Sequence, residues 1–198
     1  MKVFDKNTFR IMDAPRYVIG VDLAVASDYT VATTLDADSR RVIAIYRFRN
    51  VTCEDQIFRL ERYFNSFDDP LVIIDFSEID EPIIEGLLAL RRKSSPKIPY
   101  RILRVFLKAK LKSDLIERLR FEIESGSLIL LRDRNLLDEL ERYSMKKDSG
   151  GTTIYSAPDG YHDDCIISLA LAVYGVLSWE PKSGGGMNHL DLFTGMVV

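Results

Sequence analysis

Arg16-Tyr17-Val18-Ile19-Gly20-Val21-Asp22-Leu23-Ala24 is a β-rich apolar run with a single carboxylate, Asp22, at its far end. A charge inside such a run is costly to bury unless something compensates it, and a bound cation is a common compensator. Asp22 is therefore the first candidate for chemistry. The apolar residues Val18, Ile19 and Val21 mark the run as a central strand.

Asp28 to Asp36 is rich in β-branched residues and reads as a second strand. The turn Ala37-Asp38-Ser39-Arg40 joins it to a third strand over Arg41 to Arg49. Connections this short make antiparallel hairpin partners and cannot hold a crossover helix, which argues against a dinucleotide-binding start. Thr52 and Asp55 then stand in capping-box spacing before a helix with Ile57, Leu60, Phe64 and Phe67 along one face. Pro70 opens Leu71-Val72-Ile73-Ile74-Asp75, a second buried strand that again delivers a carboxylate at its end.

Farther on, a helix is expected over Glu81 to Arg92, with Pro82 in its first turn, followed by a basic loop from Arg91 to Lys97 and a strand over Tyr100 to Phe106. Ser113 is read as the cap of a helix carrying Leu115, Ile116, Leu119 and Ile123, which Gly126 stops. Leu128 to Leu131 reads as a short strand, and Asn135 with Asp138 as the opening of a helix through Leu136, Leu140 and Tyr143. Residues 144–158 read as a β-hairpin with the glycine-rich tip Asp148-Ser149-Gly150-Gly151. His162-Asp163-Asp164 then leads into an almost wholly apolar core helix from Cys165 to Leu177. Residues 1–15 form a lead-in or linker, 16–178 one domain, and the stretch from Trp179, with its three consecutive glycines, a flexible tail.

Asp22 and Asp75 end two strands, and Asp163 with Asp164 stands at the mouth of a buried helix. In a layered α/β fold the ends of neighbouring central strands lie side by side, so these acids can converge at one edge. Packed carboxylates repel unless cations neutralise them, and hard divalent ions such as Mg²⁺ or Mn²⁺ do so best. Two such ions about 3.5 to 4 Å apart are an apparatus for displacement at phosphorus. Any one of these aspartates alone is more often a turn-former or helix cap; the repeated strand-then-Asp pattern raises the set above its members. Asp28, Asp36 and His162 are read as structural or flanking.

With 27 basic and 30 acidic residues among 198, the net charge of −3 does not advertise nucleic-acid binding. A polyanion must be held by local groups: Lys108, Lys110 and Lys112 as a basic stripe in a connection, Lys146 and Lys147 on the hairpin, with Arg91, Arg92 and Lys93 a further cluster. Cys53 and Cys165 form neither a CxxC pair nor a secreted disulfide pattern and read as reduced thiols. No stretch reaches the length of a membrane span, and the first residues lack the apolar core of a signal peptide, which points to the cytoplasm.

Gly20-Val21-Asp22-Leu23-Ala24 with Asp28-Tyr29-Thr30, then Val72-Ile73-Ile74-Asp75, and finally Ala157-Pro158-Asp159-Gly160-Tyr161-His162-Asp163-Asp164 before a helix, resemble the nuclease domain of the large terminase subunit of tailed bacteriophages. The resemblance runs from about residue 16 to 178 and implies a ribonuclease H-like fold: a mixed sheet of five or more strands in the order 3-2-1-4-5, strand 2 antiparallel, with helices on both faces. It implies that Asp22, Asp75, Asp163 and Asp164 bind two divalent ions, Mg²⁺ or Mn²⁺, and hydrolyse double-stranded DNA, cutting concatemeric viral genomes during packaging in the cytoplasm of an infected bacterium. An ATPase motor domain, the portal and the small terminase subunit are the implied partners. The motor's phosphate loop, Gly-x-x-x-x-Gly-Lys-Ser/Thr, does not occur in this sequence. Either the chain is one domain of a longer protein, with residues 1–15 the linker to the motor, or it is a stand-alone relative. A Holliday-junction resolvase of the same fold and a non-catalytic ribonuclease H-like module are the alternatives.

Overall fold

The computed structural model describes residues 2–5, 10–24, 28–76, 80–93, 100–147, 153–156 and 161–178. Its elements, in chain order, are β1 (Lys2–Asp5), β2 (Arg10–Asp13), β3 (Tyr17–Asp22), β4 (Thr30–Asp36), β5 (Arg41–Phe48), α1 (Cys53–Phe64), β6 (Leu71–Asp75), α2 (Glu81–Lys93), β7 (Arg101–Val105), α3 (Ala109–Glu124), α4 (Arg134–Arg142), β8 (Ser144–Lys147), β9 (Thr153–Ser156) and α5 (Asp164–Ser178).

A five-stranded sheet runs β5-β4-β3-β6-β7. β4 is antiparallel to both of its neighbours, whereas β3, β6 and β7 are parallel. This is the expected order 3-2-1-4-5, with β3 central. Alternation along each strand divides the core into two layers. Ile19, Val21, Val72 and Ile74 pack with Leu60, Phe64, Ile84 and Leu87 of α1 and α2. Val18, Val31 and Ile73 pack on the other face with α3, α4 and α5.

α5 is the helix that makes the site. Thirteen of its 15 residues are buried. It lies against β3 so closely that a Cβ on Gly20 would collide with the Ser168 carbonyl and come within 2.5 Å of the Ala172 nitrogen. Near its other end Gly175 faces Val18 and Ile73. Because Val18 precedes Gly20 on β3 while Gly175 follows Ser168 on α5, the two elements run antiparallel. The N-terminus of α5 therefore meets the carboxyl ends of β3 and β6. A buried Thr33–Ser168 hydroxyl pair, 2.7 Å apart, ties the helix to β4.

Several expectations shift. β1 and β2 pair antiparallel in what reads by sequence as a featureless lead-in. α3 begins at Ala109 with Lys108 at its N-cap, so Ser113 lies inside the helix and the lysine stripe occupies the helix start, not a connection. Asp133 caps α4, its side chain accepting from the Leu136 amide; Asn135 is already helical. Leu128 to Leu131 is no strand: Ile129 makes one isolated parallel bridge to Arg41. α2 continues through Arg91 and Arg92 to Lys93. The β8–β9 hairpin forms as expected, while its tip at 148–152 and the tail from residue 179 lie outside the described residues.

Candidate metal centre

β3 and β6 pair in parallel with Val21 level with Ile74, so the next residues, Asp22 and Asp75, end neighbouring strands at one height. Gly20 and Ile73 face α5, and two residues farther along each strand Asp22 and Asp75 return to that same face. α5 adds Asp164 as its first residue, with Asp163 just before it. The structure thus brings all four predicted acids to one corner.

The electrostatics agree. The Asp22 carboxyl is pushed well above its usual range, first by burial and then by the charges of Asp164, Asp75 and Asp163. Asp75 and Asp164 are also raised, each chiefly by burial. The Leu107 amide donates to Asp75 at 3.3 Å and partly offsets the effect there. Lys112 donates to Asp163 Oδ2 at 2.9 Å, and the Tyr143 hydroxyl to the same oxygen at 3.3 Å. Among the described residues, no three such groups stand close enough, as placed, to ligate one ion. Asp163 Oδ2 is engaged by Lys112 and Tyr143 and would have to give up these contacts to join the other acids around an ion.

The donor set fits a hard divalent cation. It is composed of carboxylate oxygens, and Asp164 Oδ2 is buried without a hydrogen-bond partner. The backbone after Asp22 is steadied as well: Thr30 Oγ1 accepts from the Ala24 amide at 3.0 Å and from Gln56 Nε2 at 2.7 Å.

Around the acids stands a group that sequence reasoning passed over. His162 Nδ1 lies 3.6 Å from both Asp164 Oδ2 and Asp28 Oδ1, which places both residues against the acid cluster. Tyr29 meets the His162 ring edge-on. The guanidinium of Arg47 covers the Tyr29 ring at 3.4 Å and that of Arg49 lies at 4.6 Å. Arg142 similarly covers Tyr161. Glu139 reaches from α4 to the first amides of α5. Its signal was present: Glu139 lies three residues after Leu136 and one before Leu140, on the apolar side of an amphipathic helix. Of the lysines, Lys112 belongs to the acid cluster, Lys110 pairs with Asp114 at 3.0 Å, and Lys108 is exposed. Lys146 and Lys147 lie on β8.

No family model matches the chain. The magnesium-bound crystal structure of the large terminase nuclease from thermophilic phage G20c is 30% identical to it, with a TM-score of 0.69 over 80% of each chain. The chain belongs to the large terminase nuclease family. The large terminase subunits of Thermus virus P23-45 and Thermus phage G20c are each 29% identical over 168 residues. That match takes in 85% of this chain but 33% of theirs, so the chain spans about a third of the length of these curated relatives. The HK97 large terminase, 12% identical with a TM-score of 0.62, shares the fold. The terminase nuclease of G20c has also been crystallised with cobalt and with zinc.

Proposed function

We propose that this domain is a divalent-metal-dependent endonuclease that hydrolyses double-stranded DNA and cuts concatemeric viral genomes during packaging. One observation carries the reading: four carboxylates from β3, β6 and the start of α5 meet at a single corner, and three of them are disfavoured as anions there. Neither catalytic chemistry nor stability favours such a cluster without a cation. Relatives of matching fold crystallised with magnesium and cobalt support the assignment.

Asp22, Asp75, Asp163 and Asp164 would hold two ions, Mg²⁺ or Mn²⁺. When bound, such ions supply an activated water and neutralise the charge that develops at phosphorus. The protein's own contribution is positional. β3 and β6 fix two ligands on rigid neighbouring strands, the Gln56–Thr30–Ala24 bonds hold the chain after Asp22, and α5 delivers the other pair. No side chain is required as a covalent nucleophile. An ATPase motor in the remainder of a longer chain, the portal and the small terminase subunit are the proposed partners, with the bacterial host's cytoplasm as the site of action.

Supercoiled plasmid incubated with the protein and Mn²⁺ or Mg²⁺ should be nicked and then linearised, and Asp75→Asn should leave it intact. Absence of cutting by the wild type with either ion would overturn the reading, and preferential cutting of a four-way junction over linear duplex would redirect it to a resolvase.

The rim supplies the phosphate contacts that the net charge does not. Arg49 and Arg142 are exposed and carried on Tyr29 and Tyr161 beside the acids, which holds two cations over the approach to the site. Arg49→Ala and Arg142→Ala should each weaken duplex binding and reduce the slope of log affinity against log salt by about 0.9. Unchanged slopes, measured by fluorescence anisotropy in Ca²⁺, would remove these residues from the DNA path.

A further inference from the structure

We propose that Glu139 is a positioning residue that caps α5 from outside and thereby releases the Asp163 carboxylate for the metal centre. The inference rests on the metal-centre reading above and adds the device that keeps one ligand available.

The conflict it resolves is set by chain geometry. The Ile167 amide donates to the Asp163 carbonyl at 2.9 Å, the first bond of the α5 ladder, which makes Asp163 the N-cap residue. An aspartate at that position ordinarily turns its side chain back to accept from the amides two or three residues on. Those amides belong to Cys165 and Ile166, which are 0% and 1% exposed, so water cannot replace the cap. An Asp163 that served them would point into its own helix and away from Asp22 and Asp75.

The structure shows the other arrangement. The Cys165 and Ile166 amides both donate to Oε2 of Glu139, at 2.8 and 3.3 Å, from a different helix. Asp163 Oδ2 instead faces Lys112 and Tyr143. Glu139 is itself held in place, its side chain 9% exposed and Oε1 3.8 Å from Arg47 Nη2. Arg47 lies in turn over Tyr29, on the strand face that carries the acids. The carboxylate that completes the helix is thus not one of the four proposed ligands, and the carboxylate nearest the helix end is left for ligation. Lys112 holds Asp163 by a half-buried contact that a cation would have to displace.

The test compares Mn²⁺ affinity by isothermal titration with metal-free thermal unfolding. Glu139→Ala should lower Mn²⁺ affinity about tenfold, the scale of a lost supporting contact, because Asp163 turns in to satisfy the orphaned amides. Glu139→Gln, whose amide oxygen still accepts, should stay within about threefold of wild type. In an Asp163→Ala background, Glu139→Ala should cause no further loss, whereas a general structural role would add its loss again. Without metal, Asp163→Ala alone should lower the unfolding midpoint by less than about 3 °C, since its side chain caps no amide and the variant gives up only the half-buried contacts to Lys112 and Tyr143. Asp163→Ala with Glu139→Ala should lower the midpoint by more than the two single changes together. Equal Mn²⁺ affinity in folded Glu139→Ala and wild type, or a midpoint fall of about 3 °C or more in Asp163→Ala, would overturn the proposal. A wild type that binds no Mn²⁺ would instead refute the metal-centre reading, and the metal-free arm still decides which carboxylate caps α5.

Discussion

Asp22→Asn is expected to abolish cleavage, by roughly 10³-fold, while raising the midpoint of metal-free thermal unfolding. Asp22 occupies the centre of the acid corner, with Asp75 beside it on the neighbouring strand and Asp164 and Asp163 facing it. Its carboxyl is disfavoured as an anion by burial and by three like charges, so the folded state is destabilised whenever Asp22 is ionised. Asparagine keeps the shape and removes the charge. The sign follows from linkage. The folded-state pKa lies above the ordinary value of 3.8, so below 3.8 the group is neutral in both states and the penalty is absent. The penalty grows as pH rises from there through the folded-state pKa and is complete above it. The stability gain of the variant should therefore be largest near neutral pH and shrink on acidification. Saturating Mn²⁺ should reverse the order, stabilising wild type by mass action and the variant far less. Calorimetric scans between pH 4 and 8, with and without Mn²⁺, check each part. A variant that cuts DNA at the wild-type rate, or one less stable than wild type without metal at pH 7, would contradict this account.

The second large effect concerns stability and comes from a residue without a side chain. Gly20→Ala is expected to destabilise the fold by about 3 kcal/mol or more, the upper range for overpacking. That corresponds to roughly 6 to 12 °C in the unfolding midpoint of a domain this size. The added carbon would collide with backbone, the Ser168 carbonyl, and crowd the Ala172 nitrogen. Backbone inside a buried helix cannot turn aside, so α5 must lift from β3. Gly175→Ala is the control, since its new carbon meets side-chain methyls of Ile73 and Val18 at 2.5 and 2.6 Å, and these can rotate. Its cost should be about 1 kcal/mol. Equal losses at the two positions would mean that α5 does not press on β3 as described. Because α5 also carries Asp164, Gly20→Ala should weaken Mn²⁺ binding even where the protein stays folded.

Both predictions depend on residues whose importance differs in visibility. Asp22 is conspicuous in sequence as a charge ending an apolar run. Gly20, two residues earlier, reads there as a strand residue without a packing partner, because nothing local says that α5, some 150 residues on, presses against it. Lys112 shows the same limit: alternation with Lys108 and Lys110 reads as one basic stripe for a polyanion, yet the turn of α3 separates them, placing Lys112 on Asp163 and Lys110 on Asp114. Ser113 looks like a cap because serine favours that role, but α3 begins four residues earlier and buries the signal inside the helix. His162 and Asp28 look incidental when read singly and face one another only after β4 and the start of α5 come together.

The amino-acid sequence alone determined the central strand, the antiparallel hairpin pair beside it, the second acid-bearing strand and the buried last helix. These features follow from hydrophobic period, connection length and turn chemistry, all local quantities written along the chain. It also singled out the four carboxylates that the fold brings to one corner, two because burying a charge at the end of an apolar run is unfavourable and two because paired acids precede a buried helix. Only the tertiary structure decided how those carboxylates are kept available. Glu139 caps α5 in place of Asp163, Lys112 holds Asp163, and a glycine admits the helix close enough to bring Asp164 to Asp22. Each is a contact between residues far apart in the chain, and its strength depends on distance, angle and burial that no local pattern specifies.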